Sequence, residues 1–393
     1  MKKIILENGA VLVCNFKESS KVSVALTFGR GHLNETKLGV ASVFENIVQR
    51  VADKKIISMY GGSFTSFFTG MERQDLKERM QQLYNWCVDL KITPEMVDYA
   101  VTDIIQHTRD LAPMPKRQAK LIYKHTAFGK NKVAWNTDEY IAALKGLTVQ
   151  DVIDYRQKAL VGNNMVIVFS GAQSMADDFI NLAKFLFEDL PTGRRQKIDN
   201  MLYTGGYQVV KGSGSHIMLL GWDISKIRSR VEANLLMSML NARLERAFAL
   251  LPATPEVKVA GYYGFNTLRV GFECTDPNRF EECVNILCYN IRRVCAEEAS
   301  DRRMETTRQR AMTERLLEAS KAQPTAVRLA WQLLGRDVFY SADEWINEVW
   351  HVDALDVRDT AREIFGTDLT CVVYTDNIEA APKMKDVKDL LKY

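Results

Sequence analysis

A glutamate stands between two neutral polar residues at a spacing that could hold a metal ion. Glu45 lies three residues after Ser42 and directly before Asn46. In the zinc motif H-x-x-E-H the outer positions are histidines one helical turn apart, so both imidazoles bind the zinc ion while the glutamate polarises the bound water. A serine hydroxyl and a carboxamide are weak, neutral ligands. The sequence therefore predicts no tight zinc site and no cofactor held by this chain itself.

The apolar residues around this pattern predict that the segment is a helix. They recur at helical spacing, which leaves Ser42, Glu45 and Asn46 on the opposite, polar face. Glu45 is interpreted as a solvated helix glutamate that pairs locally, because without a metal ion it has no water to activate. A nucleophilic role for Ser42 is disfavoured, since no base lies at a useful spacing. The apolar positions are Val40, Val43, Phe44, Ile47, Val48 and Val51.

Length and internal repetition predict two similar domains. The chain has 393 residues, more than one core usually supports, and its 47% hydrophobic and 26% charged residues are typical of globular proteins. A break at residues 191–200 separates two halves, and each half ends with a helix, a glycine and a strand. We therefore predict a domain at 1–190, a linker at 191–200 and a homologous domain at 201–393.

The mixed order of strands and helices predicts the fold class. Each half begins with strands, such as the alternating strand at residues 22–28, and continues with helices and further strands. This order favours an α+β fold in which helices pack on one face of a largely antiparallel sheet. Trp331, Trp345 and Trp350 are interpreted as part of the core of the second domain.

The charge balance and the cysteines exclude several classes of protein. With 52 basic and 49 acidic residues the formal charge is +3, which gives no general attraction to nucleic acid. The seven cysteines contain no C-x-x-C pair, so buried free thiols in a reducing compartment are favoured over a metal cluster. No apolar run approaches transmembrane length and no signal-like segment precedes the first strand, so we expect no membrane insertion and a cytoplasmic location.

Several short segments follow one another in an order that is specific, although each segment alone is weak evidence. They are Leu6–Gly9 with the strand at 10–14, Gly29 with Gly31 and Glu35, the helix that carries Glu45, Gly61–Phe64, Leu147–Val152, Asn163–Gly171 and Leu240–Arg246. In this order, which spans nearly the whole chain, they resemble the insulinase/pitrilysin family of metallopeptidases, in particular its members of processing-peptidase type. The resemblance implies two homologous domains per chain that face one another.

The resemblance also implies a residue that grips substrate. The segment 240–246 is similar to a family helix whose arginine clamps the peptide backbone, which falls on Arg246, or on Arg243 if the register differs by one turn. The alternative for both arginines is that they simply lie on a solvated helix face. No tyrosine follows at the family's spacing, so Tyr262 or Tyr263 could take that role only if the loop is remodelled.

Two further sites follow from the same resemblance. The strand after Gly61–Gly62 is similar to the family's substrate-side strand, so Phe64, Thr65 and Ser66 are predicted to bind an extended peptide along a sheet edge. The family's third zinc ligand falls near His107, which is more simply interpreted as an ordinary histidine on a helix surface.

Two functions remain open at this point. In the first, the chain is inactive alone and is the non-catalytic partner of a zinc-bearing homologous subunit, or pairs with itself. The partner then supplies the zinc, and both subunits contact a peptide substrate. In the second, the chain is a structural or binding subunit similar to the core proteins of respiratory complexes, with no role in proteolysis. A working peptidase with improvised ligands is disfavoured by the missing imidazoles.

Overall fold

The computed structural model describes residues 1–17, 21–52, 55–129, 135–195, 202–262, 265–336 and 341–393. By their internal contacts these residues form two compact units. Unit 1 consists of Met1–Arg109, Thr137–Asp199 and Leu316–Tyr340, and unit 2 consists of Asp110–Asn136, Asn200–Arg315 and Ser341–Tyr393. Each unit therefore contains a segment from the opposite half of the sequence.

Eleven strands and fourteen α-helices lie in the described residues. The strands are β1 Lys2–Ile5, β2 Val11–Phe16, β3 Lys21–Phe28, β4 Ile57–Tyr60, β5 Thr65–Glu72, β6 Met165–Gly171, β7 Gly206–Lys211, β8 His216–Asp223, β9 Ala253–Tyr262, β10 Phe265–Cys274 and β11 Thr370–Thr375. The helices are α1 Val40–Val51, α2 Leu76–Cys87, α3 Pro94–Leu111, α4 Pro115–Phe128, α5 Thr137–Lys145, α6 Val149–Ala159, α7 Ala176–Phe187, α8 Arg230–Ala247, α9 Phe280–Ala296, α10 Asp301–Ser320, α11 Ala322–Arg336, α12 Ala342–His351, α13 Ala354–Phe365 and α14 Met384–Leu391.

The sheet of unit 1 has the strand order β1-β2-β6-β3-β5-β4. Only β2 and β6 run parallel, and the other neighbours in this sheet are antiparallel. The central strand β3 is buried from Val22 to Phe28, including the small and polar residues that alternate with its large apolar ones. Both faces of the sheet are thus covered, whereas the sequence predicted helices on one face only. The α+β class itself is confirmed.

Helix α11 covers the second face of this sheet. Its small and branched residues, among them Ala326, Ala330 and Leu333, pack against Val13, Val168 and other side chains of the strands. In the same helix the Trp331 ring lies 4.2 Å from the Phe64 ring, and the Trp331 indole N–H donates to Ser66 Oγ at 2.9 Å.

The interpretation of Trp331 as second-domain core is therefore wrong. An apolar helix face shows that a helix is buried, but it does not identify the sheet that buries it. Trp350 is 50% exposed, so it is not a core residue either.

The sheet of unit 2 has the order β7-β11-β8-β10-β9, again with one parallel pair, β7 and β11. One face packs against α8, α9 and α13 through an apolar core that includes Trp222, Leu240 and Phe272. Helix α4 contacts β11, β8 and β7. It is held by polar groups: the Tyr123 hydroxyl donates to Thr267 Oγ1 at 3.0 Å, and Lys120 Nζ lies 3.5 Å from the Glu256 carboxylate.

The two sheets share one strand order once β1 is set aside. A parallel pair is followed by three antiparallel neighbours, with β2, β6, β3, β5 and β4 corresponding to β7, β11, β8, β10 and β9. This agrees with the duplication inferred from the sequence. The boundary at 191–200 stays a prediction. The compact units depart from it by residues 110–136 and 316–340, and residues 196–200 are outside the described part of the chain.

Two further expectations concern the whole chain. All seven cysteines are free and buried, which confirms the prediction of buried thiols. Among the described helices, none combines the length and the apolar character that crossing a bilayer requires.

Candidate degenerate metal site and arginine cluster

Helix α1 begins where the sequence predicts, and its first turn is fixed by a carboxylate. Gly39, the residue before the helix, has φ of 90°, a conformation that glycine adopts without strain. The buried Glu35 carboxylate accepts hydrogen bonds from the N–H groups of Gly39 at 2.8 Å and Ala41 at 2.9 Å. These bonds satisfy two otherwise free N–H groups, and the negative charge is favourable at a helix N-terminus. The face that carries Ser42 is thereby held in place.

Ser42 is buried and its hydroxyl is fully engaged. It donates to the Gly39 carbonyl at 2.8 Å, and it lies 2.6 Å from the hydroxyl of Tyr140 on α5. Because the single hydroxyl proton of Ser42 is used on Gly39, Tyr140 is the donor in the second bond. A side chain in this arrangement has its lone pairs turned to a neighbour rather than to a metal ion.

Asn46 is engaged as well, at a more exposed position. Its Nδ2 donates to the Asp103 carboxylate on α3 at 2.8 Å. A carboxamide nitrogen has no lone pair for a metal ion, so this pairing uses Asn46 as a donor. Both positions that flank the glutamate in the motif thus hold neutral groups in protein hydrogen bonds.

Glu45 lies between them and is only partly exposed. The Ser58 hydroxyl on β4 donates to its carboxylate, and Gln49 Nε2 in turn donates to Ser58 Oγ. Burial raises the pKa of Glu45 to about 7, although the bond from Ser58 acts in the opposite direction. The expectation of a solvated glutamate is therefore wrong, because β4 packs over the helix and removes water from the carboxyl.

The donors at this face do not fit zinc. His107 is exposed on α3, one turn beyond Asp103, and Ser42 and Asn46 are already engaged. In the described part of the chain no group of three or more histidine, cysteine or acidic side chains is placed to hold a metal ion. Zinc chemistry of the kind the motif suggests has no ligand set here.

The strand predicted to bind peptide lies inside the sheet rather than at its edge. Thr65 and Ser66 belong to β5, which pairs with β3 on one side and β4 on the other, and both side chains are buried. Phe64 precedes the strand, and its ring packs on Trp331. The glycine pair forms the turn of the β4–β5 hairpin, as the bond from Gly61 N–H to the Phe64 carbonyl shows. The edge strand is β4, where Ile57 and Met59 are 48% and 42% exposed.

The two arginines of α8 differ in their surroundings. Arg246 is exposed, and its Nε donates to the Ala242 carbonyl one turn earlier at 3.0 Å. Arg243 is 9% exposed, and its Nε has no hydrogen-bond partner within the described residues. Burial, together with the charges of Arg303 and Arg293, lowers the pKa of Arg243 to about 10.

Ser42, Glu45 and Asn46 lie together in unit 1, whereas Arg243 and Arg246 lie in unit 2. Tyr262 ends β9, and Tyr263 lies outside the described residues. Sequence reasoning missed Tyr140 and Ser58, which are distant in sequence from the helix they serve and carry no motif.

Comparison with known proteins gives evidence on both the family and the fold of this chain. Residues 146–311 match the model of the peptidase M16 inactive domain. A chain of complex III2 from Candida albicans, in the structure with Inz-5 bound, is 12% identical with a TM-score of 0.83, over 99% of this chain and 99% of that one. A protease from Helicobacter pylori is 13% identical with a TM-score of 0.81, over 95% of this chain and 99% of that one. No curated protein sequence matches significantly.

These matches define the class of protein. The resemblance to the insulinase/pitrilysin family, in a member without the zinc-ligand histidines, is confirmed by the inactive-domain model and by the shared fold. At 12% and 13% identity the two solved structures show the fold alone. The chain thus matches an M16 domain model over residues 146–311, and its fold is shared by a complex III chain and by a protease.

Proposed function

We propose that this chain is the non-catalytic partner of a zinc-bearing homologous peptidase subunit and that it helps to bind the peptide substrate. The observation that carries the proposal is the hydrogen bonding of the motif residues on α1. Ser42 and Asn46 replace the two imidazoles, and each is held in a hydrogen bond to another part of unit 1. The match to an inactive-domain model supports the same reading. Zinc is supplied by the partner subunit.

Peptide binding is proposed at the edge strand β4. Its outer backbone groups have no partner strand within the described sheet, and exposed Ile57 and Met59 offer apolar contacts on that edge. An extended peptide that adds a strand gains main-chain hydrogen bonds without a strict sequence requirement. Arg246, or Arg243 one turn earlier, remains the residue we propose to grip peptide across the partner's site.

A second candidate rests on the solved structure of the Candida albicans complex. That chain is similar over 99% of this one, with a TM-score of 0.83. In this alternative the chain is a structural subunit of a larger assembly and has no role in proteolysis. The buried free thiols fit a reducing compartment, and a cytoplasmic location is proposed with the first candidate.

The first experiment measures metal content and cleavage for the purified chain. We expect no stoichiometric zinc and no peptide cleavage, and the double variant Ser42→His with Asn46→His binds zinc only weakly, because the third carboxylate ligand and the supporting partners are missing. Elemental analysis that finds one zinc per wild-type chain, with chelator-sensitive cleavage, contradicts the proposal.

The second experiment separates the two candidates. Tagged protein purified from its native host is expected to bring down a homologue with an intact H-x-x-E-H motif, whereas recovery of a membrane complex favours the structural alternative. With the peptidase partner in hand, Arg246→Ala is expected to lower turnover by about a hundredfold without loss of assembly, since an oriented donor to a developing oxyanion is lost. Arg302→Ala, an exposed arginine on α10, is the matched control.

A further inference from the structure

Four arginines lie in unit 2 on the successive helices α8, α9 and α10, and peptide grip does not account for them. Arg243 and Arg246 lie on α8, Arg293 lies in the last turn of α9, and Arg303 lies in the first turn of α10. The connection between α9 and α10 spans residues 297–300, so the last turn of one helix and the first turn of the next are held close. The charges of the other three arginines all act on Arg243.

Arg243 is the buried member of this group. Only 9% of it is exposed, and its Nε meets no acceptor in the part of the chain that the structure describes. A buried cationic donor without a partner is costly, and nearby positive charges increase the cost. Core packing alone does not require further positive charges beside a buried arginine.

The carboxylate of Glu297 opposes these charges, and it is already bound. Arg293 Nε donates to both oxygens of Glu297 at 2.8 Å, and Arg293 Nη2 donates to Oε2 at 2.5 Å. This pairing lowers the pKa of Glu297, and the charges of Arg243 and Arg303 act in the same direction. Glu297 therefore offsets only part of the positive charge of these arginines, and its hydrogen-bonding capacity is largely used by Arg293.

We propose that Arg243, Arg303 and Arg246 bind a small dianionic oxyanion of the phosphate class. Guanidinium groups present paired donors that match the oxygens of a phosphate, and a dianion neutralises the excess charge better than a single carboxylate does. Arg303 also lies in the first turn of a 20-residue helix, close in sequence to Asp301, and the dipole of that helix favours an anion at its N-terminus. This site goes beyond the proposed peptide grip, because it recognises a small anion rather than a peptide backbone.

The test compares two neighbouring arginines on the same helix. Arg303 is half-buried within the cluster, whereas Arg302 is exposed. The variants Arg303→Gln and Arg302→Gln change the charge of the full-length chain equally, so they differ only in the contribution to the site. Titration calorimetry with inorganic phosphate, phosphoserine and sulfate is run at matched ionic strength, with sodium chloride as the reference.

We expect the wild-type chain to bind inorganic phosphate, Arg303→Gln to weaken that binding at least about tenfold, and Arg302→Gln to stay within about a factor of two. Phosphoserine that binds like phosphate shows that the site accepts phosphate esters, whereas binding of phosphate alone restricts it to the free ion. Arg243→Met provides a second variant, whose folding is verified by circular dichroism, and it should lose phosphate binding as well.

Two results overturn the proposal. In the first, millimolar phosphate gives no heat beyond that of sodium chloride with the wild-type chain. In the second, Arg302→Gln weakens binding as much as Arg303→Gln, which means that the anion only screens surface charge. Either result means that the four arginines have no role in binding a small anion.

Discussion

Helices α1 and α8 both present polar side chains at positions where the sequence suggested chemistry, but they satisfy those side chains in opposite ways. On α1, neutral residues occupy the former ligand positions and bond to Tyr140 and Asp103. On α8, Arg243 is buried among like charges and its Nε has no partner among the described residues. The polar face of α1 is thus complete without a ligand, whereas the face of α8 gains from an added anion.

The largest effect is expected at Glu45, the ionisable residue of the degenerate motif on α1. Its pKa is raised to about 7 by burial, so the folded state holds a proton that the unfolded chain releases above about pH 4.5. Stability therefore falls as the pH rises from about 4.5 to about 7. Glu45→Gln should stabilise the protein by about 2 kcal/mol at pH 8, after allowance for partial exposure, and have little effect at pH 4.5.

Urea unfolding of Glu45→Gln at both pH values checks this expectation. Glu7→Gln is the control, since Glu7 is exposed in the same unit. If Glu45→Gln shifts stability equally at both pH values, the carboxyl is not held in a desolvated position and α1 is less complete than described.

A smaller effect, this time a loss of stability, is expected when the hydrogen bond between Ser42 and Tyr140 is removed. Ser42→Ala leaves the buried Tyr140 hydroxyl without its acceptor and should cost about 1 kcal/mol in the free energy of unfolding. A double-mutant cycle with Tyr140→Phe measures the coupling, because the double variant removes both partners and should cost less than the sum of the single changes. Additive costs would mean that the two hydroxyls do not support each other.

The smallest effect is expected on α8. Arg243→Met removes a buried cation from among other cations, so its unfolding free energy in phosphate-free, low-salt buffer should be unchanged or raised by up to about 1 kcal/mol. Chemical denaturation in low and high salt provides the measurement. A loss of more than about 2 kcal/mol would show that Arg243 has strong partners and that the contrast with α1 is false.

The elements that follow local periodicity could be predicted from the sequence. Helix α1 and the strands predicted at residues 10–14 and 22–28 lie within a few residues of their observed bounds, Val40–Val51, Val11–Phe16 and Lys21–Phe28. Apolar spacing and glycine positions are local signals, so they fix the type of an element well. The duplicated order of strands was visible for the same reason, since each half repeats the same local ending.

The predictions that failed concern residues whose contacts lie far away in the sequence. Tyr140 lies 98 residues from Ser42, and nothing in either segment identifies the other. The position of β5 inside the sheet depends on β4, a four-residue strand that the sequence did not reveal. The partial burial of Glu45 follows from that same strand, because Ser58 lies on it. Missing one short strand thus led to two errors, one in the peptide edge and one in the surroundings of the glutamate.

The exchanged segments have a consequence for how the chain acquires its structure during synthesis. Unit 1 is built mainly from the first half of the chain, but one face of its sheet is closed by α11, which begins at Ala322. Until that helix leaves the ribosome, a nascent chain carries an almost complete sheet with the apolar side chains of one face, such as Val13 and Val168, uncovered. Contacts so distant in sequence form late and slowly. The interval between translation of β6 and of α11 is therefore the period in which this protein most needs a chaperone.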